Sequence, residues 1–104
     1  MDRAWTTVRV VGPSMEPAMA SGEWWLVIRY RRYRLGQVVA LRHPDRDDLL
    51  LVKRIVRQEP SGYWVEGDNP SMSQDSRAFG IVPAERIIGR LVLRYRRAPR
   101  QREQ

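Results

Sequence analysis

Residues 49–57, LLLVKRIVR, predict the longest β-strand of the chain, because they are mostly aliphatic and partly β-branched. Side chains alternate between the two faces of a strand, so Leu51, Lys53 and Ile55 are expected on one face. A lysine between two aliphatic neighbours must extend its ammonium to water, pair with an acid or lose its proton. Lys53 is therefore either a snorkelling lysine on an edge strand or a base that burial keeps deprotonated, and this segment alone favours neither.

Short β-prone segments also occur before and after this strand, and turn-forming residues separate them. Further strands are predicted at residues 8–11, 24–30, 37–41, 63–66 and 87–95. This pattern predicts a mostly β fold, a small folded sheet or partly open barrel with little helix. A chain of 104 residues has room for one domain, predicted at 1–95, followed by a basic tail at 96–104 that is expected to be mobile.

The composition excludes several kinds of chemistry. There is no cysteine, so thiolate nucleophiles and thiolate metal sites are impossible, and the one histidine, His43, lies among charged loop residues. A Ser/His/Asp triad is therefore improbable, and we expect no metal and no cofactor. No apolar run approaches the roughly 20 residues that span a bilayer, and the N-terminal residues lack the apolar stretch of a secretory signal. These features predict a cytoplasmic protein without an integral membrane segment.

The loop GPSMEP, residues 12–17, contains a candidate nucleophile, Ser14. Pro13 and Pro17 fix their own φ angles and restrict the residues before them. Ser14 is thus held between two stiff points, and a nucleophile needs such a fixed hydroxyl with backbone N–H groups nearby to receive an oxyanion. The alternative is an ordinary serine in a proline-rich turn, which the loop taken alone favours.

A second polar loop, GDNPSMSQDSR at residues 67–77, is too polar to belong to the core. Asp75 and Arg77 are spaced to pair and to hold the loop in place. Ser73 and Ser76 offer hydroxyls that can orient a lysine amine. The alternative is a solvated, turn-rich loop, which composition alone favours.

These segments, together with RLGQVVALRHP at residues 34–44, resemble in order the boxes of the type I signal peptidase family. Members of that family use a Ser/Lys dyad, and the resemblance runs from about residue 8 to residue 93. It implies a signal-peptidase-like fold with Ser14 as nucleophile, Lys53 as general base and Ser73 as the residue that orients the lysine.

The resemblance also implies supporting roles. Asp75 and Arg77 fall on the structural ion pair of the family, and Met15 follows the nucleophile in its box. Gly12 occupies the position where some members have a serine whose hydroxyl joins the oxyanion hole, so that donor is missing here. Ser71, in a second Pro-Ser-Met, is a rival nucleophile that the match to the family rejects.

The implied function is a serine endopeptidase that removes an N-terminal leader from a precursor protein. Two stretches, RHPDRDDLLLVKRIV and GYWVEGDNPSMSQDSRAFGIVP, are similar to the soluble maturation proteases of nickel-type superoxide dismutase. The predicted partner is therefore the precursor of that dismutase, and the nickel belongs to the substrate. General signal-peptidase-like processing of leaders is the alternative.

Two other readings compete with this one. Self-cleaving repressor-type peptidases also combine a Ser-Met loop with a strand lysine, although they do not usually carry a loop like GDNPSMSQDSR. Residues 29–34, RYRRYR, together with the net charge of +7, are compatible with a module that binds phosphates and stacks bases. A solvated charged face is the more common cause of such a run, so we expect no nucleic-acid partner.

Overall fold

The computed structural model describes residues 4–97, and these form one six-stranded antiparallel sheet. The strands are β1 (Trp5–Arg9), β2 (Trp24–Ile28), β3 (Val38–His43), β4 (Arg46–Glu59), β5 (Gly62–Glu66) and β6 (Ile87–Arg96). Their order across the sheet is β1-β2-β6-β3-β4-β5, so β1 and β5 are the edges and the sheet does not close into a barrel. Helix in this part of the chain is limited to α1 (Ser76–Phe79) and two single 3₁₀ turns, Pro70–Met72 and Ala84–Arg86. The predicted mostly β fold with little helix is confirmed.

The strand bounds differ from the predicted ones at the hairpin between β3 and β4. The sequence predicts a polar turn over residues 43–48, but β4 already begins at Arg46 and pairs there with His43. The turn is this tight because the backbone N–H of Asp45 donates to Nδ1 of His43 over 3.0 Å. At the other end of the chain, β6 includes Arg96, and residues 98–104 of the predicted tail lie outside the described residues.

Lys53 lies on an inner strand, because β4 is flanked by β3 and β5. Val39 of β3 is its cross-strand partner, and the lysine is only 3% exposed. Ile55, on the same face, is fully buried, and Leu51 packs against the same core. The explanation of Lys53 as a snorkelling residue on an edge strand is therefore wrong.

The sheet buries an apolar cluster on each face, as the alternation along β3 shows. One cluster consists of Tyr33, Val39, Leu41, Ile55, Tyr63, Val65, Val82 and Ile87. The other consists of Val10, Met15, Met19, Val27, Val38, Ala40 and Leu91. Because neighbouring β3 residues alternate between the two lists, the clusters lie on opposite faces. Met15 is fully buried in the second cluster, so the residue after Ser14 anchors the serine loop to the sheet.

Leu41 tests the energetic weight of this core, since it is completely buried. Replacing it with alanine should lower the free energy of unfolding by about 2–5 kcal/mol, because transfer energy is lost and a cavity is left. Urea unfolding followed by tryptophan fluorescence measures the change. Leu35→Ala is the matched control, because Leu35 is 63% exposed, and it should change stability by less than about 0.5 kcal/mol. Equal losses in the two variants would contradict the assignment of the core.

Candidate active site

Ser14 lies in the connection between β1 and β2, and backbone hydrogen bonds close the base of this loop. The N–H of Val10 donates to the carbonyl of Glu23 over 2.8 Å, and the N–H of Gly22 donates back to the carbonyl of Val10 over 2.7 Å. Inside the loop, the N–H of Met19 donates to the carbonyl of Met15 over 3.0 Å. These bonds and the burial of Met15 fix the backbone that carries Ser14.

Asn69, in the 67–77 loop, ties the serine loop down from the other side. Its backbone N–H donates to the carbonyl of Ser14 over 2.8 Å, and its side-chain Nδ2 donates to the carbonyl of Pro13 over 3.1 Å. The two loops that the sequence singles out are therefore in direct contact. Sequence reasoning missed Asn69, although an asparagine in a polar loop is a residue type that often forms hydrogen bonds to a neighbouring backbone.

Gly12 has no side chain to supply a donor, and its backbone shows what the position requires. Its φ of 88° lies in the left-handed region that favours glycine. Its N–H donates to Oγ of Ser21 over 3.0 Å. Gly12 therefore shapes the entrance to the serine loop, and its supporting role at the site stays a prediction.

The amine of Lys53 is the first member of a hydrogen-bonded chain. Nζ donates to Oγ of Ser73 over 3.1 Å, and the Ser73 hydroxyl donates to Oδ2 of Asp75 over 2.7 Å. Asp75 is 1% exposed and also accepts from the backbone N–H of Gly67 over 2.9 Å. Arg77 completes the chain with Nη2 2.6 Å from Oδ2 and Nε 3.0 Å from Oδ1 of Asp75. The predicted pairing of Asp75 with Arg77 and the predicted contact of Ser73 with the lysine are both present.

Burial and neighbouring charges set the protonation states of Lys53 and Asp75 in this series of hydrogen bonds. Burial lowers the pKa of Lys53 below its ordinary value of 10.5, while the negative charge of Asp75 opposes the change and the positive charge of Arg77 adds to it. For Asp75, burial raises the pKa, but hydrogen bonds from Arg77, Gly67 and Ser73 outweigh burial and hold the pKa below its ordinary value of 3.8. Asp75 is thus ionised at neutral pH, and the positive charge of Arg77 offsets part of the increase that Asp75 causes in the pKa of Lys53.

Gly67 is a second residue that sequence reasoning missed. A Cβ at this position would collide with the side chain of Ser73 and would lie 2.8 Å from the carbonyl oxygen of Ser14. Only glycine therefore lets the end of β5, the serine loop and Ser73 pack together. A glycine directly after a predicted strand and at the head of a polar loop was the available signal.

A cavity of about 370 Å³ opens at the point where these elements meet. Ser14 and Lys53 both line it, and residues 7–11 on one side and 50–53 on the other form its walls. The size is typical of ligand pockets, and the walls are extended backbone with mostly apolar side chains. The structure therefore places a half-buried hydroxyl and a buried amine of depressed basicity at one cavity.

Other residues considered from the sequence lie elsewhere. The Ser71 side chain is exposed and donates to Oδ1 of Asn69 over 3.3 Å, outside the lining of the cavity. The hydroxyl of Ser76 accepts from the N–H of Val65 over 2.8 Å and so holds α1 against β5. His43 packs on Phe79 with ring centroids 4.7 Å apart.

Within residues 4–97, no group of three or more His, Asp or Glu side chains is placed to hold a metal ion, and no helix is long and apolar enough to cross a membrane.

The fold is that of a small, mostly β protein with one cavity that a serine and a buried lysine both line, and comparison with known sequences gives the family. The family model described as Peptidase S24-like matches residues 2–92, and the chain belongs to this family. The site therefore lies in a member of a peptidase family. The prediction of a peptidase is thereby confirmed, whereas the Ser/Lys dyad and the relation to nickel superoxide dismutase maturation stay predictions.

Several relatives have names that point to proteolysis. Mitochondrial inner membrane protease subunit 1 of Xenopus tropicalis is 31% identical in an alignment that covers 80% of this chain and 64% of the relative. Mitochondrial ATP-independent inner membrane protease subunit 1a of Arabidopsis thaliana is 33% identical, with 86% of this chain and 69% of the relative covered. Mitochondrial inner membrane protease subunit 2 of Schizosaccharomyces pombe is 32% identical, with 80% of this chain and 60% of the relative covered. The chain thus spans about two thirds or less of these three proteins.

Asp75→Asn tests the chain of hydrogen bonds behind the lysine. The variant should lower the free energy of unfolding at pH 7 by about 3 kcal/mol, because the bonds from Arg77 and Ser73 lose their ionised acceptor. Since the folded-state pKa lies below the ordinary value, the wild-type stabilisation is present above about pH 4 and is lost as the pH falls further. Urea unfolding at several pH values measures both effects.

Asp48→Asn is the control for this variant, because the Asp48 side chain is 79% exposed and lies 3.7 Å from its Arg46 partner. It should change the free energy of unfolding by less than about 0.5 kcal/mol. A difference between wild type and Asp75→Asn that stayed constant from pH 7 to pH 3 would contradict the ionised state of Asp75.

Proposed function

We propose that this protein is a serine endopeptidase in which Ser14 is the nucleophile and Lys53 is its general base. One observation carries the proposal: a lysine buried on an inner strand, with a lowered pKa, lines the same cavity as a serine whose loop is held on two sides. Among residues 4–97 no carboxylate forms an ion pair with Lys53. A buried lysine in such surroundings is costly to a fold, and a catalytic role gives a reason to keep it.

The chemistry needs the neutral amine. An ordinary lysine with a pKa of about 10.4 is neutral in roughly one molecule in 2,500 at pH 7, so each unit by which burial lowers the pKa raises that fraction about tenfold. Ser73 accepts one N–H of the amine while it donates its own proton to Asp75. This hydrogen bond fixes the amine at a cavity that Ser14 also lines, and in the proposed mechanism the lone pair of the neutral amine accepts the proton of the serine hydroxyl.

The proposed reaction proceeds by acyl transfer. Lys53 takes the proton of Ser14 Oγ as that oxygen attacks the scissile carbonyl carbon, and the backbone N–H of Ser14 donates to the developing oxyanion. The C–N bond then breaks, Lys53 returns the proton to the leaving amine, and an ester on Ser14 results. Water, deprotonated by Lys53, attacks the ester and releases the carboxylate product and the free serine.

The walls of the cavity suit an extended peptide. Residues 7–11 include the end of the edge strand β1, and residues 50–53 belong to β4, so the substrate would lie between two extended segments. Extended peptides bind in this way through main-chain hydrogen bonds, while pockets between alternate side chains select the sequence.

For the substrate, we propose an N-terminal leader on a precursor protein. The names of the relatives, which are inner membrane protease subunits, support processing of this general kind. The finer proposal is the precursor of nickel-type superoxide dismutase, and it rests on the resemblance of residues 42–56 and 62–83 to its maturation proteases. General leader processing is the alternative substrate class.

Ser14→Ala should lower the rate of cleavage by about a thousandfold or more, because the nucleophile is removed. The substrate is leader-bearing nickel superoxide dismutase precursor, and mass spectrometry of the new N-terminus gives the position of the cut. Ser71→Ala is the matched control, since it removes the same hydroxyl from the other Pro-Ser-Met, and it should cleave like wild type. Full activity in Ser14→Ala would overturn the mechanism.

An ordinary secretory precursor separates the substrate proposal from the mechanism. Cleavage of that precursor alone, abolished by Ser14→Ala, would support general leader processing and would contradict the nickel superoxide dismutase assignment. Cleavage of this chain itself and of neither precursor would instead support a self-cleaving peptidase.

The pH dependence of cleavage tests the role of Lys53. Because the neutral amine is the active form, kcat/KM should rise with pH to a plateau, with a midpoint below 10.5, the ordinary pKa of lysine. Asp75→Asn should move the midpoint to lower pH, because the charge of Asp75 raises the pKa of the lysine. Lys53→Met should abolish cleavage at every pH. A profile that falls with increasing pH, or a midpoint that Asp75→Asn leaves in place, would contradict the assignment.

A further inference from the structure

The basic segment that the peptidase function does not use forms part of a second pocket. This arginine pocket has a volume of about 310 Å³ and is lined by Tyr30, Arg32, Arg34, Gln37 and Arg90. Four of these residues come from the connection between β2 and β3, and Arg90 comes from β6. None of them lines the cavity that contains Ser14 and Lys53, so the two sites are separate.

The backbone around the arginine pocket is fixed by buried tyrosines. Tyr33 is buried, and its hydroxyl accepts from the N–H of Tyr30 over 3.1 Å. The N–H of Tyr33 in turn donates to the hydroxyl of Tyr63 over 3.2 Å. The rings of Tyr30 and Tyr33 meet edge to face at 6.3 Å. The segment that carries Arg32 and Arg34 is therefore anchored to the core.

The far end of the same segment is anchored as well. Oε1 of Gln37 accepts from the N–H of Arg34 over 3.0 Å, and the N–H of Gln37 donates to the carbonyl of Arg34 over 3.2 Å. The N–H of Gly36 donates to the carbonyl of Ile55, and Nη1 of Arg54 donates to the carbonyl of Gly36 over 2.7 Å. The backbone that carries the pocket is thus fixed, which removes part of the entropic cost of binding a ligand.

The charge of the pocket is not balanced by the protein. Among residues 4–97, the side chains of Arg32, Arg34 and Arg90 form no ion pair. By contrast, six other arginines of this region each pair with a carboxylate, namely Arg46, Arg54, Arg57, Arg77, Arg86 and Arg94. No Asp or Glu lines the pocket. Three like charges around one concavity repel each other, and an anion in the pocket would remove that repulsion.

We propose that the arginine pocket is a binding site for a phosphate group. Planar guanidinium forks match phosphate oxygens two at a time, and one phosphate has enough terminal oxygens to accept from Arg32, Arg34 and Arg90 together. A single carboxylate presents one edge and is satisfied by one such fork. The half-exposed ring of Tyr30 offers a surface on which the group attached to the phosphate can pack.

The phosphate can be carried by a soluble molecule or by a lipid head group, and two probes distinguish these sources. Isothermal titration calorimetry with inorganic pyrophosphate tests the soluble source. Sedimentation with phosphatidylcholine vesicles, with and without phosphatidic acid, tests the lipid source. Arg34→Gln should weaken binding of the effective probe by about tenfold or more, because charge-assisted hydrogen bonds are lost. Arg90→Lys keeps the charge but loses the fork, so it should weaken binding less than Arg90→Gln.

Arg46→Gln is the matched control, because it changes the net charge equally on the β3–β4 hairpin, where the Arg46 side chain is 60% exposed. It should change the affinity by less than about twofold. Thermal unfolding monitors whether each variant is folded, and Arg34 is exposed, so its substitution leaves the core intact. The assay measures binding alone, so its result is independent of the peptidase proposal.

Several outcomes would overturn the phosphate site. The first is that neither probe binds, and the second is that Arg46→Gln weakens binding of a probe as much as Arg34→Gln does. The third is that a hexaglutamate peptide binds as tightly as the phosphate probe and that Arg34→Gln weakens its binding too. The last result would identify an acidic segment as the ligand instead. Binding to phosphatidic acid vesicles alone, lost in Arg34→Gln and kept in Arg46→Gln, would support the site and assign its source to lipid.

Discussion

The removal of the Lys53 amine from water is the constraint on which the site depends. An inner strand holds the residue between Val39 and the apolar side chains of its own face, and the amine donates a hydrogen bond to a serine hydroxyl. The acid that could neutralise the ammonium, Asp75, is one hydroxyl away and is already engaged by Arg77. Desolvation therefore dominates over attraction, and the pKa of the amine falls.

The 67–77 loop contacts both the serine loop and Lys53, and it thereby joins parts of the site that are distant in sequence. Its glycine lets the chain pass close to the serine loop, its asparagine bonds that loop directly, and its serine and aspartate support the lysine. Asp68 adds a bidentate ion pair with Arg54, with distances of 2.9 and 2.7 Å. Arg54 also donates to the carbonyl of Gly36, so one side chain links the 67–77 loop to the loop that bears the arginine pocket.

Alternation and turn chemistry predicted the strands and the shared face of Leu51, Lys53 and Ile55, because these features are local. The sequence could not place β6 between β2 and β3, since that pairing joins residues far apart in the chain. The residues alone offered Ser73 and Ser76 as partners for the lysine, and only the resemblance selected Ser73. In the structure Ser73 accepts from Lys53, while Ser76 accepts from the backbone of β5 because the loop continues into α1. The positions of Gly67 and Asn69 were conspicuous in the sequence, but their contacts were not predictable from it, because those contacts depend on the neighbouring serine loop.

The buried amine also ties the protonation of the chain to its folding. In the unfolded chain Lys53 has its ordinary affinity for a proton, and in the folded chain that affinity is reduced. Between the two pKa values the unfolded chain binds more protons, so folding expels part of a proton into the solvent and the stability of the fold rises with pH in that interval. In moderately alkaline solution the burial of Lys53 therefore reduces the free energy of unfolding less than it does at neutral pH.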